Sequence, residues 1–146
     1  MAVGELLPKI VEGPIKASAS IEDAIAAGAI DLWSPVILVA KGAGEDLARV
    51  QATTTANSTA VWGVVVGPVR ASGKAADVAG DKVNVCTFGP CKVKVAAALA
   101  VAALIATSAT AGKAGAATPA IGAVLGKLLD ASGADGDIVP CYVNAA

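Results

Sequence analysis

Histidine is missing from the sequence, and only four of the 146 residues are aromatic: two tryptophans, one tyrosine and one phenylalanine. Without imidazole the chain lacks the commonest general base and metal ligand near neutral pH. Ser-His and Cys-His nucleophile pairs are excluded for the same reason. Cysteine is scarce, at Cys86, Cys91 and Cys141. An odd, low count at irregular spacing is no disulfide framework, and three thiols without histidine make a poor zinc site. A membrane-length apolar run is missing too. The twelve residues from Val95 to Ala106 carry no polar side chain, with Lys92, Lys94 and Lys113 close by, but a spanning helix needs about 20. The opening MAVGELLPKIVEG shows no basic segment followed by an apolar one, so no secretory signal is expected. Charge of one sign is also lacking. Eleven bases against twelve acids leave a net charge of −1, so no overall field favours nucleic acid or an anionic membrane.

What the chain has is small apolar side chains. It is 55% hydrophobic, mostly alanine and valine. Burial stabilises by roughly 25 cal/mol per Å² of apolar area, so an alanine-rich core leaves a thin margin over conformational entropy. Such a subunit gains by burying surface against copies of itself or a partner, and an oligomer or assembly component is expected. Residues 1–50 hold seven acids and four bases, residues 51–100 two acids and five bases. Unlike faces can steer subunits together, although ordinary solvated surface explains the same pattern.

The first nineteen residues differ from the rest. Pro8 and Pro14 resist helix and central strand, while Leu6, Leu7, Ile10, Val11 and Ile15 are apolar without a lasting period. The segment is too apolar for a free tail. An extended arm over residues 1–19 that drapes over another surface is expected; an edge strand of the same domain is the competing view. Residues 20–146 are expected to form one domain. SIEDAIAAGAI offers Ser20 as a helix cap and Gly28 as a stop, hence one or two helical turns. SPVILVAKG and LARVQATTT predict a strand, a turn and a returning strand. AVWGVVVGPVRA is a further strand with Gly63 and Gly67 at bulges or close backbone contacts. DKVNVCTF and CKVKVAA predict a hairpin about Gly89-Pro90, with Val93 and Val95 inward and Lys92 and Lys94 outward. Cys86 and Cys91 can then face each other across that loop, either bonded or as small buried thiols in a reducing compartment. Ala97–Ala103 is expected to form a short helical turn before the strand LIATSA, and IGAVLGKLLDA and DIVPCYVN close the chain as strands. Turn signals every eight to twelve residues give the rhythm of an all-β barrel or sandwich.

Catalytic templates fail residue by residue. GAGEDL has leucine where a dinucleotide fingerprint needs its third glycine, and GAVLGKLL has Leu128 where a phosphate loop needs serine or threonine. Asp130, Asp135 and Asp137 do not match the spacing of a calcium loop and suit an Asp/Gly turn. Ser72 with Lys74, or Ser108 with Lys113, would be Ser-Lys pairs in principle, but turn chemistry explains both. Trp33 and Trp62 fall at strand edges and are candidate core or interface anchors. No catalytic residue, metal or cofactor is assigned, and the chain is not expected to be an enzyme.

From about Pro35 onward the order of phrases is similar to the bacteriophage head decoration proteins, also called capsid cement or capsid-stabilising proteins. SPVILVAKGAG resembles their opening strand and turn, and VWGVVVGPV the strand before a Gly-Asp-x-Val-x-Val segment, here AGDKVNVCTFGPCKVKV. AAALAVAALIATSATAGKA looks like their Ala-rich turn, and IGAVLGKLLDASGADGDIVPCYVN like the closing strands. The family usually places a glycine where Ala102-Ala103 stands. The resemblance implies a small β-barrel or β-tulip-like domain, commonly a homotrimer, on the outer surface of a phage head. There it would bind major capsid protein and hold the lattice together, the arm adding contacts, with no role for nucleic acid or membrane. It implies a virion component assembled in the host cytoplasm. The alternative from a different class is a cell-surface or extracellular β-sandwich adhesion module, with Trp33 and Trp62 as candidate ligand contacts.

Overall fold

A computed structural model describes residues 19–118 and 123–144. Nine strands follow in chain order: β1 (Ser20–Ala26), β2 (Pro35–Val39), β3 (Ala48–Gln51), β4 (Val61–Gly67), β5 (Lys82–Lys94), β6 (Leu104–Thr107), β7 (Ala114–Ala116), β8 (Gly126–Leu128) and β9 (Ile138–Asn144). The hydrogen-bonded order is β1-β3-β2-β4-β5-β9-β8-β6-β7, and β1 pairs again with β5. That second pairing closes β1, β3, β2, β4 and β5 into a five-stranded barrel. β9, β8, β6 and β7 extend from β5 as a second sheet. The chain is all-β, and no residue among those described is helical.

Register decides which side chains fill which space. Val65 pairs with Val85, and both belong to the barrel core with Ala24, Ala26, Val36 and Val50. One step along, Val64 pairs with Cys86, and both belong to a second core with Val93, Ile105, Leu125 and Val143. Successive side chains on a strand point to opposite faces. β4 and β5 are therefore shared walls, with the barrel interior on one side and the second sheet's core on the other.

Two glycines are required where neighbouring strands approach closely. A Cβ on Gly63 would collide with the Cys86 carbonyl, and one on Gly126 with the Tyr142 carbonyl. The expectation of close backbone contact at Gly63 holds. The ladder also shifts between Val36 and Ile37 and between Val65 and Gly67.

Three local expectations are overturned. Residues 20–26 form a strand rather than helical turns, running parallel to β3 and antiparallel to β5; two-sided pairing outweighs a local cap signal. Residues 97–103 hold bends, a turn and a bridge between Leu99 and Ser132, because the Leu99 and Ala102 amides donate to Ser132 and Leu128 across the sheet. The hairpin at Gly89-Pro90 does not exist. β5 continues through it for 13 residues, with Gly89 at φ 104 so that the strand bends without reversing. Lys94 donates its N–H to the Trp33 carbonyl at 3.0 Å, so amides of its parity point away from β9. Pro90 shares that parity and withholds no donor from the β5–β9 ladder. Val93 and Val95 are buried and Lys92 is exposed, as the alternation requires; Lys94 is half-buried.

Candidate interaction surface

Beyond the barrel, β5 pairs only with β9, and the outward face of that pair holds the largest aromatic contact among the described residues. Phe88 lies opposite Asn144, Pro90 opposite Tyr142, Lys92 opposite Pro140 and Lys94 opposite Ile138. The Phe88 and Tyr142 rings meet edge to face, with centroids 5.6 Å apart and planes at 77°, a favoured aromatic geometry. Phe88 nevertheless stays 47% exposed, as does Ile138. Lys127 of β8 sits across from Tyr142 on the next ladder, and Leu104 of β6 beyond it. The outward positions of these four strands thus combine apolar rings and side chains with three lysines and no carboxylate. Such a face suits an apolar partner surface with acidic groups around it.

The two tryptophans have different roles. Trp62 on β4 is half-buried against the barrel core. Trp33 occupies the turn before β2 at φ 65, a conformation that costs a bulky residue energy. It is held by its own N–H to Val65 O at 2.8 Å and by the Lys94 amide. Lys92 Nζ lies 5.9 Å from its ring centroid, within cation–π range. Trp33 also lines an open cavity of about 360 Å³ with Asp31, Ser72, Lys74, Lys94 and Ile138; Trp62 does not.

The arm residues Leu6, Leu7, Ile10, Val11 and Ile15 lie outside the described residues. The described chain starts beside the aromatic pair. Ala19 packs against the second core, and Ser20 pairs with Phe88, its carbonyl accepting from Thr87 Oγ1 at 3.4 Å. Sequence reasoning named the tryptophans and missed Phe88 and Tyr142. The false hairpin hid them, since only a continuous β5 puts Phe88 and Lys92 on one face.

The hydroxyls and carboxylates singled out in the sequence are tied up in local structure. Ser72 Oγ bonds Asp77 and accepts from the Lys74 amide. Ser108 Oγ donates to the Lys113 carbonyl at 2.8 Å, while Lys113 Nζ reaches Asp135 at 2.6 Å. Neither hydroxyl bonds the amine of its candidate lysine. Asp137 accepts from the Gly133 and Ala134 amides at 2.8 and 3.0 Å, the Asp/Gly turn its sequence suggested. Asp81 accepts from the Asp77 and Val78 amides, with Arg70 Nε at 3.5 Å. Those amides and then the guanidinium hold its carboxyl below the usual range. Among the described residues no group of three ligating side chains is placed to hold a metal ion, and no helix is long and apolar enough to cross a membrane.

No family model matches the sequence, and no curated protein is similar to it. Among solved structures the chain is similar to the head fiber gp8.5 N base of bacteriophage phi29, with 15% sequence identity and a TM-score of 0.56, over 88% of this chain and 97% of that one. At that identity the likeness is one of fold. It spans nearly the whole of the neighbour.

Proposed function

We propose that this chain is a structural protein of a bacteriophage virion. It sits on the outer surface of the head as a homotrimer and stabilises the lattice of major capsid protein, without catalysis, cofactor, nucleic acid or membrane. The observation that carries this reading is the fold it shares with nearly all of a phage head fiber base. The apolar, lysine-bearing face of β5, β9 and β8 supplies the contact surface, with Phe88 and Tyr142 as anchors. The arm, with Leu6, Leu7, Ile10, Val11 and Ile15, extends that surface, since the described chain begins next to Phe88. Both features suit binding by edge pairing and buried rings. Trp33, under Lys92, adds a third anchor, whereas Trp62 belongs to the barrel core.

The test is co-sedimentation and imaging with expanded, undecorated heads built from the major capsid protein encoded with this chain. The full chain binds at regular positions. Deletion of residues 1–18, or the pair Phe88→Ala and Tyr142→Ala, leaves a folded protein whose binding falls at least tenfold. A folded full chain that ignores such heads would sink the proposal, and normal decoration by the truncated chain would remove the arm from it. A second reading, an adhesion module, is favoured by the Trp33 cavity alone. An aromatic face beside Asp31, Ser72 and two lysines suits an acidic saccharide, and a glycan array distinguishes it.

A further inference from the structure

The three cysteines converge at the bend of β5. Cys91 and Cys141 stand directly opposite each other in the β5–β9 ladder, and their Sγ atoms are 3.7 Å apart. Cys91 is half-buried; Cys141 and Cys86 are buried, and all three are free thiols. Amides of Lys94's parity point away from β9, so those of Cys91's parity point toward it. In an antiparallel ladder such a pair holds its Cα atoms about 5.5 Å apart, inside the window of about 4.4–6.8 Å that a disulfide spans. Closing to a bond of about 2.05 Å then asks each sulfur to move about 0.8 Å, which side-chain rotation supplies. Cys86 is placed differently. It lies on the same strand and also neighbours Cys91, a contact that lowers the pKa of the Cys86 thiol to about 7, but its Sγ is directed at the Phe88 and Gly89 carbonyls at 3.6 and 3.9 Å.

We propose that Cys91 and Cys141 form an oxidation site, a reversible disulfide that staples β5 to β9, with Cys86 remaining a thiol. The oxidant is a small-molecule disulfide such as oxidised glutathione. The half-buried Cys91, as thiolate, attacks one glutathione sulfur and releases the other as a glutathione thiolate. The Cys141 thiolate then attacks the Cys91 sulfur of the mixed disulfide and releases the second glutathione. Two protein thiols lose two protons and two electrons, and one glutathione disulfide becomes two glutathione thiols. The neighbouring sulfurs of Cys141 and Cys86, together with burial, push the Cys91 thiol up. The first step is therefore slow at neutral pH and accelerates as pH rises. The staple stays open where glutathione is kept reduced and closes in oxidising surroundings. It joins the strand that walls the barrel to the centre of the second sheet, and it does not depend on the virion reading.

The full chain, reduced and then incubated natively with oxidised glutathione at pH 8, is alkylated and digested with trypsin. Cleavage after Lys82, Lys92 and Lys127 separates a peptide carrying Cys86 and Cys91 from one carrying Cys141. The expected product joins the two peptides with two hydrogens lost and Cys86 alkylated. Fragmentation before Pro90 assigns the bond to Cys91 without any variant. The unfolding midpoint rises on oxidation and returns when dithiothreitol is added. Cys86→Ala keeps the linkage, and Cys141→Ala leaves a glutathione adduct on Cys91. A bond within the first peptide between Cys86 and Cys91, a bond from Cys86 to Cys141, or three alkylatable thiols after incubation would each overturn the proposal.

Discussion

Replacing Gly126 by alanine tests whether β8 and β9 approach as closely as the register implies. The added Cβ would fall on the Tyr142 carbonyl and lie 3.0 Å from Tyr142 C and Val143 Cα. All three atoms are backbone, so no side chain can rotate away. β8 pairs with β6 on one side and β9 on the other, and relief therefore means parting a ladder. The flanking bonds from Leu125 N to Ile105 O and from Asn144 N to Leu125 O, each 2.8 Å, are the first to stretch. Overpacking costs about 1–3 kcal/mol, and two weakened hydrogen bonds add about 1–3 kcal/mol. The expected loss is about 4 kcal/mol, a large share of the ~5–15 kcal/mol that holds a domain folded. Gly28→Ala is the control. Nothing lies within 4 Å of its added Cβ and its φ is ordinary, so it gains about 0.4–1 kcal/mol through the unfolded chain. At about 4 °C per kcal/mol, thermal unfolding followed by circular dichroism separates the two variants by roughly 18 °C. If Gly126→Ala melted within about 2 °C of the parent, the close approach of β8 to β9 would be refuted.

Two further substitutions address the turns. Ala102 stands at φ 64, where a residue with a Cβ pays about 1–2 kcal/mol and glycine loses about 0.5–1 kcal/mol in flexibility. Ala102→Gly should raise the urea midpoint by the equivalent of about 0.5–1 kcal/mol, and a fall in the midpoint would count against the left-handed turn. Asp81 has its carboxyl held below the usual range by two amides and Arg70, so its stabilisation is complete above an unfolded value of about 4 and is lost as pH falls through the lower folded value. Asp81→Asn should therefore destabilise at pH 7 and flatten the decline between pH 5 and 2; an unchanged acid limb would exclude Asp81 as a contributor.

Most of the strands were legible because their signals are local. The β-branched runs at 35–39 and 61–67, and the alternation from Lys82 to Lys94, state their own period. The errors share a cause. Ser20, Asp23 and Gly28 carry cap and stop signals that favour a helix in isolation, but β3 and β5, the partners of β1, lie far along the chain, and local propensity carries no trace of them. Gly89-Pro90 resembles a hairpin turn, yet glycine permits a bend as readily as a reversal, and proline costs nothing where no ladder donor is needed. That error propagated to the surface, since a reversed strand separates Phe88 from Lys92 and removes the aromatic pair with Tyr142. Ala102 is the opposite case. Alanine carries no turn signal there, yet its φ of 64 is left-handed, the geometry to which glycine is best suited.

The shared walls also change what the small-residue composition means. Read from the sequence alone, an alanine and valine core argues for a subunit that needs a partner to complete it. A five-stranded barrel encloses very little space, and Ala24, Ala26, Ala75 and Ala76 with five valines are sized to fill it. Ile30 is the one larger side chain fully buried in the barrel core, while Ile105, Leu125 and Leu128 belong to the second core, where β9, β8 and β6 cover the outside of β4 and β5. Each wall strand is thus buried on both faces, which compensates for small side chains without calling on another subunit. The argument for a partner therefore moves from the interior to the surface. It now rests on Phe88, Ile138 and Leu104, each more than 40% exposed on a face whose outward charges are all lysine. If assembly did occur through that face, exchanging Lys92, Lys94 and Lys127 for glutamate would abolish it while leaving both cores intact, with stability falling chiefly by the lost Lys92–Trp33 contact, about 0.5–1 kcal/mol.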